Sequence, residues 1–352
     1  MNAERYFTAP MRRARLLETG WERELAVEAC EVPEAKGNWV LVQVEACGVC
    51  YRDLIDRAGR FRFIQLPITP GHEAVGRVIA VGSQVTEWRP GDRVATLHRD
   101  FCGVCPACNA GETSLCTGAA AVFGLLIDGG YATHLVAPER ALYAVSPHLP
   151  AAEAAILHCT FGTAYRGLMR AGLRAGQRVL VTGANGGVGA AAIQVVKRLR
   201  AHPVAVIRNA AQREFVEELG AESVIVDDGT SFHKALTDPV DIALDCVGEP
   251  TFNAALRSLA VGGRIVAIGN VKEARVPVNL GYLITRGVTI LGSSGATRAD
   301  MQAVLSLYDS IPFTIPIHAR LPLERADFAQ RVVREGGLRG RVVLALEGDE
   351  SA

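Results

Sequence analysis

The segment CGVCPACNAGETSLC puts Cys102, Cys105, Cys108 and Cys116 into fifteen residues, with two, two and seven residues between them. Four thiolates in one loop fill the tetrahedral shell of a zinc ion and leave no vacant position, the mark of a structural site. Four sulfurs also suit an iron–sulfur cluster. A metal bound this way contributes about 10–16 kcal/mol to folding a loop that has little core of its own. The chain has nine cysteines, and an odd number with four in one cluster is a poor disulfide framework. Further candidates lie apart: Cys47 and Cys50 in CGVCYRDLID, His72 in TPGHEAVG, and Cys159 in ILHCTFGTAY. Each has a plain alternative, since a buried cysteine is usually a small hydrophobe and a histidine is often a satisfied polar residue. Spacing does not link them.

A second chemistry sits in VLVTGANGGVG, residues 179–189. Gly183, Asn185, Gly186, Gly187, Val188 and Gly189 lie where an apolar strand turns into a helix. Small residues there let the backbone approach a pyrophosphate, and the helix start offers free N–H groups. The required setting is present, with a strand before the turn, a helix after it and another strand behind. An acidic residue about 20 positions on would favour a free ribose 2′-hydroxyl. The sequence instead has Arg208, Asn209 and Arg213, with no carboxylate before Glu214. An arginine can clamp a 2′-phosphate that a carboxylate would repel, so NADP(H) is expected. The competing reading of Arg208 is a solvated loop charge.

These residues need elements to hold them. A length of 352 residues suggests two domains, and 49% hydrophobic residues can build large cores. The 37 basic and 37 acidic residues cancel, which argues against nucleic-acid or membrane partners. The N-terminal MNAERYFTAPMRRARLL has no apolar core of leader length, and no run of about 18 apolar residues occurs. A soluble, cytoplasmic protein is expected. Up to about residue 150, short β-branched runs such as WVLVQVEA, GRVIAVG and DRVATL alternate with turn signals such as TPG and RPGD, which predicts a mainly-β unit. The Ala-rich segment 151–170 then predicts a helix. After it, RVLVTG, VAVI, SVIV, DIALDCVG, RIVAIG and VTILGSS alternate with helical stretches. Near-continuous apolar strands with helices between them predict a doubly wound parallel sheet. The tail predicts helices and a last strand, GRVVLAL.

With CGVCYRD, GHEAVGRV, GDRV, the four-cysteine loop, CTFGTAY, VTGANGGVG and the terminal GRVVL, the chain resembles the zinc-containing medium-chain dehydrogenase/reductase superfamily, alcohol dehydrogenase type, over nearly its full length. The resemblance implies an α/β Rossmann cofactor domain plus a mainly-β GroES-like catalytic domain. Its segments are expected at 1–152 (catalytic, with the structural zinc loop 102–116), 153–294 (Rossmann) and 295–352 (return to the catalytic domain). It implies Cys50, His72 and Cys159 as ligands of a catalytic zinc with a fourth position open, Cys47 packing nearby as a thiol, and Glu73 able to approach the metal. It also implies that Asp53 holds the histidine, Thr163 lies near the nicotinamide, backbone at Val247 and Gly269 meets the carboxamide, and Arg341 meets the pyrophosphate. Association as a homodimer or homotetramer, through the strand in VTILGSS, follows from the same resemblance.

The chain departs from that pattern on one short segment. Family alcohol dehydrogenases usually carry serine or threonine two residues after the ligand cysteine, and often histidine five after, as a proton relay. Here these are Arg52 and Ile55, neither able to relay a proton, while Tyr51 offers a phenol. The first expectation is hydride transfer between NADP(H) and a zinc-polarised carbonyl or alcohol. The alternative is reduction of a C=C conjugated to a thioester, because CYRD is similar to acryloyl-CoA-type reductases. Arg52 would then support the enolate or an anionic group of the substrate. The plain reading of Arg52 is a cation paired with Asp53 or Asp56. A non-catalytic zinc- and nucleotide-binding protein is a third class.

Overall fold

A computed structural model describes residues 10–119, 121–271 and 274–346. The first nine residues, part of the stretch read above for a leader, lie outside these. The chain forms two compact units that divide at His158/Cys159 and again at Pro316/Ile317.

The first unit opens with an antiparallel pair, β1 (Met11–Arg15) and β2 (Ala26–Cys30). There follow β3 (Trp39–Val49), α1 (Tyr51–Arg57), β4 (Ala74–Val81), β5 (Arg93–Thr96), the short α2 (Pro106–Asn109), β6 (His134–Pro138), β7 (Leu142–Ala144) and α3 (Ala151–Ile156). The valine-rich β3 is the central strand, because it pairs antiparallel with β4 along Val40–Cys47 and with β6 along Trp39–Gln43. Its Val40, Val42, Val44, Cys47 and Val49 are buried in one core with Phe123 and Tyr131. Burying side chains of this size contributes roughly 1.5–3 kcal/mol each, which fixes the strand that leads into Cys50.

The second unit starts within a π-helical turn, His158–Gly162. It continues through α4 (Thr163–Arg170), β8 (Arg178–Thr182), α5 (Gly187–Arg198), β9 (His202–Ile207), α6 (Arg213–Glu218), β10 (Ser223–Val226), β11 (Val240–Asp245), α7 (Glu249–Arg257), β12 (Leu259–Ala267), α8 (Leu280–Arg286), β13 (Thr289–Gly292) and α9 (Arg298–Ser310). The strands lie in the order β10-β9-β8-β11-β12-β13, all pairs parallel. The chain reverses direction across the sheet beside β8, so the turn after β8 sits at a topological switch point, where such sheets bind ligands. Val179, Leu180 and Val181 are fully buried, as the unbroken apolar run predicted.

The chain then returns to the first unit through β14 (Ile317–Pro322), α10 (Ala326–Glu335) and β15 (Arg341–Ala345), completing a seven-stranded sheet of order β14-β15-β3-β4-β5-β7 with β6 also on β3. The single helix expected over 151–170 is in fact α3, the π turn and α4. The sequence boundaries were 152/153 and 294/295, and the compact units divide later at both places. The reason is packing: α3 lies on β3, β4 and β15, while α9 lies on α4, with Arg166 bonded to Asp300 at 2.8 Å. Among the described residues no helix is long and apolar enough to cross a membrane.

Candidate active site

Cys50 directly follows β3 and caps α1. Its sulfur stands where a helix usually has an oxygen, accepting the Arg52 N–H at 3.5 Å, while the Asp53 carboxylate accepts the Cys50 N–H at 2.9 Å. The capping box therefore aims both side chains. Asp53 also accepts from the Tyr131 hydroxyl at 3.1 Å and from His72 Nδ1 at 2.9 Å. With its Nδ1–H donated to Asp53, His72 presents the lone pair of Nε2, the arrangement of a metal-ligating histidine. Cys159 sits in the π turn, a distortion often found at functional positions.

Ligand atoms of Cys50, His72, Glu73 and Cys159 all lie within 4.8 Å of one another. The spacing and the donor set of two sulfurs, an imidazole and a carboxylate fit a zinc ion. Glu73 is fully buried, and Arg341 donates to both its oxygens at 2.6 and 2.7 Å. Burial pushes the Glu73 carboxyl up to about 7, against the opposing pull of Arg341. Burial and Arg52 work against a proton on His72, but Asp53 and Cys50 outweigh them, and its pKa in the metal-free chain is pushed up to about 10. Gly48 makes room for this group, because a Cβ there would collide with the Glu73 carboxylate. Cys47 is buried outside the group, its thiol pushed well up by burial and by Asp53 and Glu73.

The second set is the loop of Cys102, Cys105, Cys108 and Cys116. Three sulfur pairs are 3.5, 3.9 and 4.0 Å apart, too far for a disulfide. Zinc–sulfur bonds of about 2.3 Å in a tetrahedron put sulfurs about 3.8 Å apart, so this set also fits zinc. Backbone N–H groups of Cys102, Cys105 and Gly118 point at sulfurs at 3.2, 3.4 and 3.3 Å, as suits thiolates.

In the second unit, α5 starts at Gly187 with Gly186 as its N-cap and no side-chain cap. Its first-turn amides therefore have no acceptor within the helix. Gly183 has φ +58°, open to glycine, and a Cβ at Gly189 would collide with the Gly183 carbonyl. An uncapped helix start at a switch point, reached through a turn of small residues, fits a dinucleotide pyrophosphate. Asn185 and Val188 belong to the same turn. Arg208 directly follows β9, is exposed, and has no bonding partner among the described residues. Asn209 caps the following turn through Ala211 N–H, and Arg213 pairs with Glu217 at 3.3 Å. Val247 and Gly269 follow the ends of β11 and β12, and Thr163 is the buried first residue of α4.

Two expected residues have firm structural engagements. The Arg52 guanidinium bonds Asp56 through Nε at 2.8 Å and an η nitrogen at 2.7 Å, and the Phe123 carbonyl at 2.8 Å. Burial opposes its charge, but Asp56 and then Asp53 outweigh burial and keep it protonated. Arg341 is held by Glu73 and by the Val49 carbonyl at 3.1 Å. Tyr51 is 36% exposed. The sequence reading missed Tyr131, which steadies Asp53, and the stacked rings of His98 and His158, centroids 5.5 Å apart. His158 is adjacent to Cys159 and could have been flagged. Nothing in the sequence marks His98 or Tyr131.

Residues 36–147 match the family described as alcohol dehydrogenase GroES-like domain, and residues 187–310 match the zinc-binding dehydrogenase family. An acryloyl-coenzyme A reductase of Metallosphaera sedula is 34% identical, over 92% of this chain and 97% of that protein. An alcohol dehydrogenase of Geobacillus stearothermophilus is 32% identical, over 94% and 98%. The crystal structure of AibC superposes with a TM-score of 0.92 at 36% identity, covering 99% of both chains. A parallel six-stranded sheet with a glycine turn, a separate mixed sheet, two metal-type residue sets, and full-length likeness to these proteins place the chain in the zinc-binding medium-chain dehydrogenase/reductase superfamily, an oxidoreductase of the alcohol dehydrogenase type.

Proposed function

We propose that the chain is an NADP(H)-dependent reductase of a 2-enoyl thioester, of the acryloyl-coenzyme A kind. The observation that carries this reading is the state of Arg52. The guanidinium that replaces the usual hydroxyl is bound to Asp56 and to the Phe123 carbonyl, and Ile55 replaces the usual histidine. The two usual relay positions thus carry no group that passes on an alcohol proton. An enoyl thioester needs none. When bound, NADPH supplies hydride for the β-carbon and zinc supplies Lewis acidity to the thioester oxygen, while the α-carbon takes its proton from water. The similarity to the M. sedula reductase supports the same substrate class.

In this reading Cys50, His72 and Cys159 hold the catalytic zinc, with Glu73 able to approach it and Asp53 orienting His72. Cys102, Cys105, Cys108 and Cys116 hold the second zinc. The turn Gly183, Asn185, Gly186, Gly187, Val188 and Gly189 seats the pyrophosphate, Arg208 with Asn209 and Arg213 seats the 2′-phosphate, and Thr163, Val247 and Gly269 line the nicotinamide. Arg341, expected at the pyrophosphate, is assigned with Glu73 to the inner group. The first unit is the catalytic domain and the second the cofactor domain, in a cytoplasmic protein. Pairing of two copies is assigned to the free edge of β13, where Ile290 is exposed, with Leu280 and Ile284 exposed on α8.

The second reading, carbonyl or alcohol turnover, is favoured by the complete ligand set within 4.8 Å, with Tyr51 as proton donor. Assays with NADPH on crotonyl-CoA, aldehydes and ketones decide between them. Turnover of the thioester well above that of aldehydes is expected. Aldehyde or ketone turnover alone moves the assignment to the second reading. No turnover by a protein with two zincs and bound NADPH moves it to the non-catalytic class. Arg208→Ala is expected to weaken NADPH about 10–100-fold while leaving NADH unchanged. Equal loss for both cofactors removes the NADP(H) assignment.

A further inference from the structure

His98 lies two residues beyond β5, in the first unit with Arg52, His72 and His158. The Phe123 peptide joins it to Arg52, since Phe123 N–H donates to the His98 carbonyl at 3.3 Å while the Phe123 carbonyl accepts from Arg52. The imidazole stacks on His158, the residue before Cys159. Its Nδ1 is buried and has no hydrogen-bond partner, and Nε2 makes no bond to any described residue. The residue is half-buried, and Nε2 is not among the buried, unpartnered atoms as Nδ1 is.

Burial holds this imidazole well below the ordinary histidine range, and His158, Arg52, His72 and Arg99 push it the same way. It is therefore neutral near pH 7 and carries one N–H. An orphaned buried N–H is rarer and costlier than an orphaned lone pair. The proton accordingly belongs on Nε2, and the lone pair on the buried Nδ1.

We infer that His98 is a catalytic residue that donates Nε2–H to the carbonyl oxygen of the substrate. This deepens the reductase reading and rests on it. The sequence suggested Arg52 for supporting charge on that oxygen, but Asp56 and Phe123 occupy that guanidinium. A neutral donor stacked on the residue before Cys159 supplies the same support without adding a cation.

The test compares His98→Phe, which keeps a flat ring, with His98→Gln, which keeps an N–H donor. In the zinc-loaded enzyme with NADPH and crotonyl-CoA, His98→Phe is expected to lower kcat about 100-fold. Zinc content and NADPH affinity should stay as in wild type, and His98→Gln should recover to within about tenfold of wild type. A Phe variant within threefold of wild type, or a Gln variant no better than Phe, overturns the inference. ¹⁵N-histidine spectra of wild type at pH 7 should show His98 as the neutral Nε2–H tautomer. An imidazolium or an Nδ1–H tautomer also overturns it. Should wild type reduce no enoyl thioester, the substrate assignment falls, and the spectra still decide whether His98 carries the Nε2–H that the inference requires.

Discussion

The two metal-type residue sets of this chain are built in opposite ways. The outer set is four cysteines of one loop, within fifteen residues, whose sulfurs accept nearby backbone N–H groups. The inner set joins residues 50, 72, 73 and 159 from the end of a strand, a loop and a π turn. Its surroundings are carboxylates, an arginine and a tyrosine bonded to one another in the core. The contrast fits two uses of one chemistry. Four thiolates close a coordination shell and stabilise a loop, whereas three ligands held by buried partners can keep one position for an oxygen.

The strongest test of this contrast removes one cysteine from each set. Cys105→Ser is expected to lose one zinc per chain and several kcal/mol of stability, read as a lowered Tm and early proteolysis in residues 102–116. Cys159→Ser is expected to lose the other zinc and at least about a thousandfold in turnover, with the fold intact by circular dichroism. If both variants unfold alike, or if Cys159→Ser keeps two tightly held zincs, the division into a structural and a catalytic set fails.

A smaller effect should come from Asp53→Asn. The variant keeps the shape of the residue but weakens the partner of His72 Nδ1–H, so chelator competition should show metal affinity at the inner set down about 10–100-fold. Outer-set affinity should not change. Equal weakening at both sets would mean that the substitution acts through general stability.

The smallest effect concerns the frame that holds α1. Asp327 accepts from Arg331 at 2.6 Å, from Arg57 at 2.7 Å and from Leu25 N–H at 3.1 Å. Burial alone would raise its carboxyl, but these bonds outweigh it and the pKa is lowered. A carboxylate with a depressed folded-state pKa contributes stability that is present above its unfolded value, about 3.9, and is lost as pH falls through the folded value. Asp327→Asn should therefore cost about 1–3 kcal/mol in urea unfolding at pH 7, and the gap to wild type should close below about pH 4. A gap that stays constant down to pH 3 would count against the ion pair.

Most strands were legible as apolar runs, because a strand covered on both faces needs no polar alternation; β8, β9 and β11 fall where VLVT, VAVI and DIALD stand. The break in the helix over 151–170 was not legible. Its composition suits a continuous helix, and the π turn reflects the parting of α3, packed on one sheet, from α4, packed with α5 and α9. Arg52 shows the same limit from the other side. The sequence identified it as the departure from family pattern and offered Asp56 as a partner at i+4, but the Phe123 carbonyl, 71 residues away, came only with the fold.

By itself, then, the sequence determined what short-range spacing can encode: the four-thiolate loop, the glycine turn with its flanking strand and helix, and the arginine where a carboxylate would mark a free ribose. The tertiary structure alone decided what depends on distant segments meeting. It brought Cys50, His72, Glu73 and Cys159 together, paired Glu73 with Arg341, and left His98 stacked with one nitrogen buried and unpartnered. Local ligand spacing is a property of a few bonds along the backbone. The protonation and direction of a buried side chain depend instead on every charge and dipole packed around it, and that surrounding set exists only once the chain has folded.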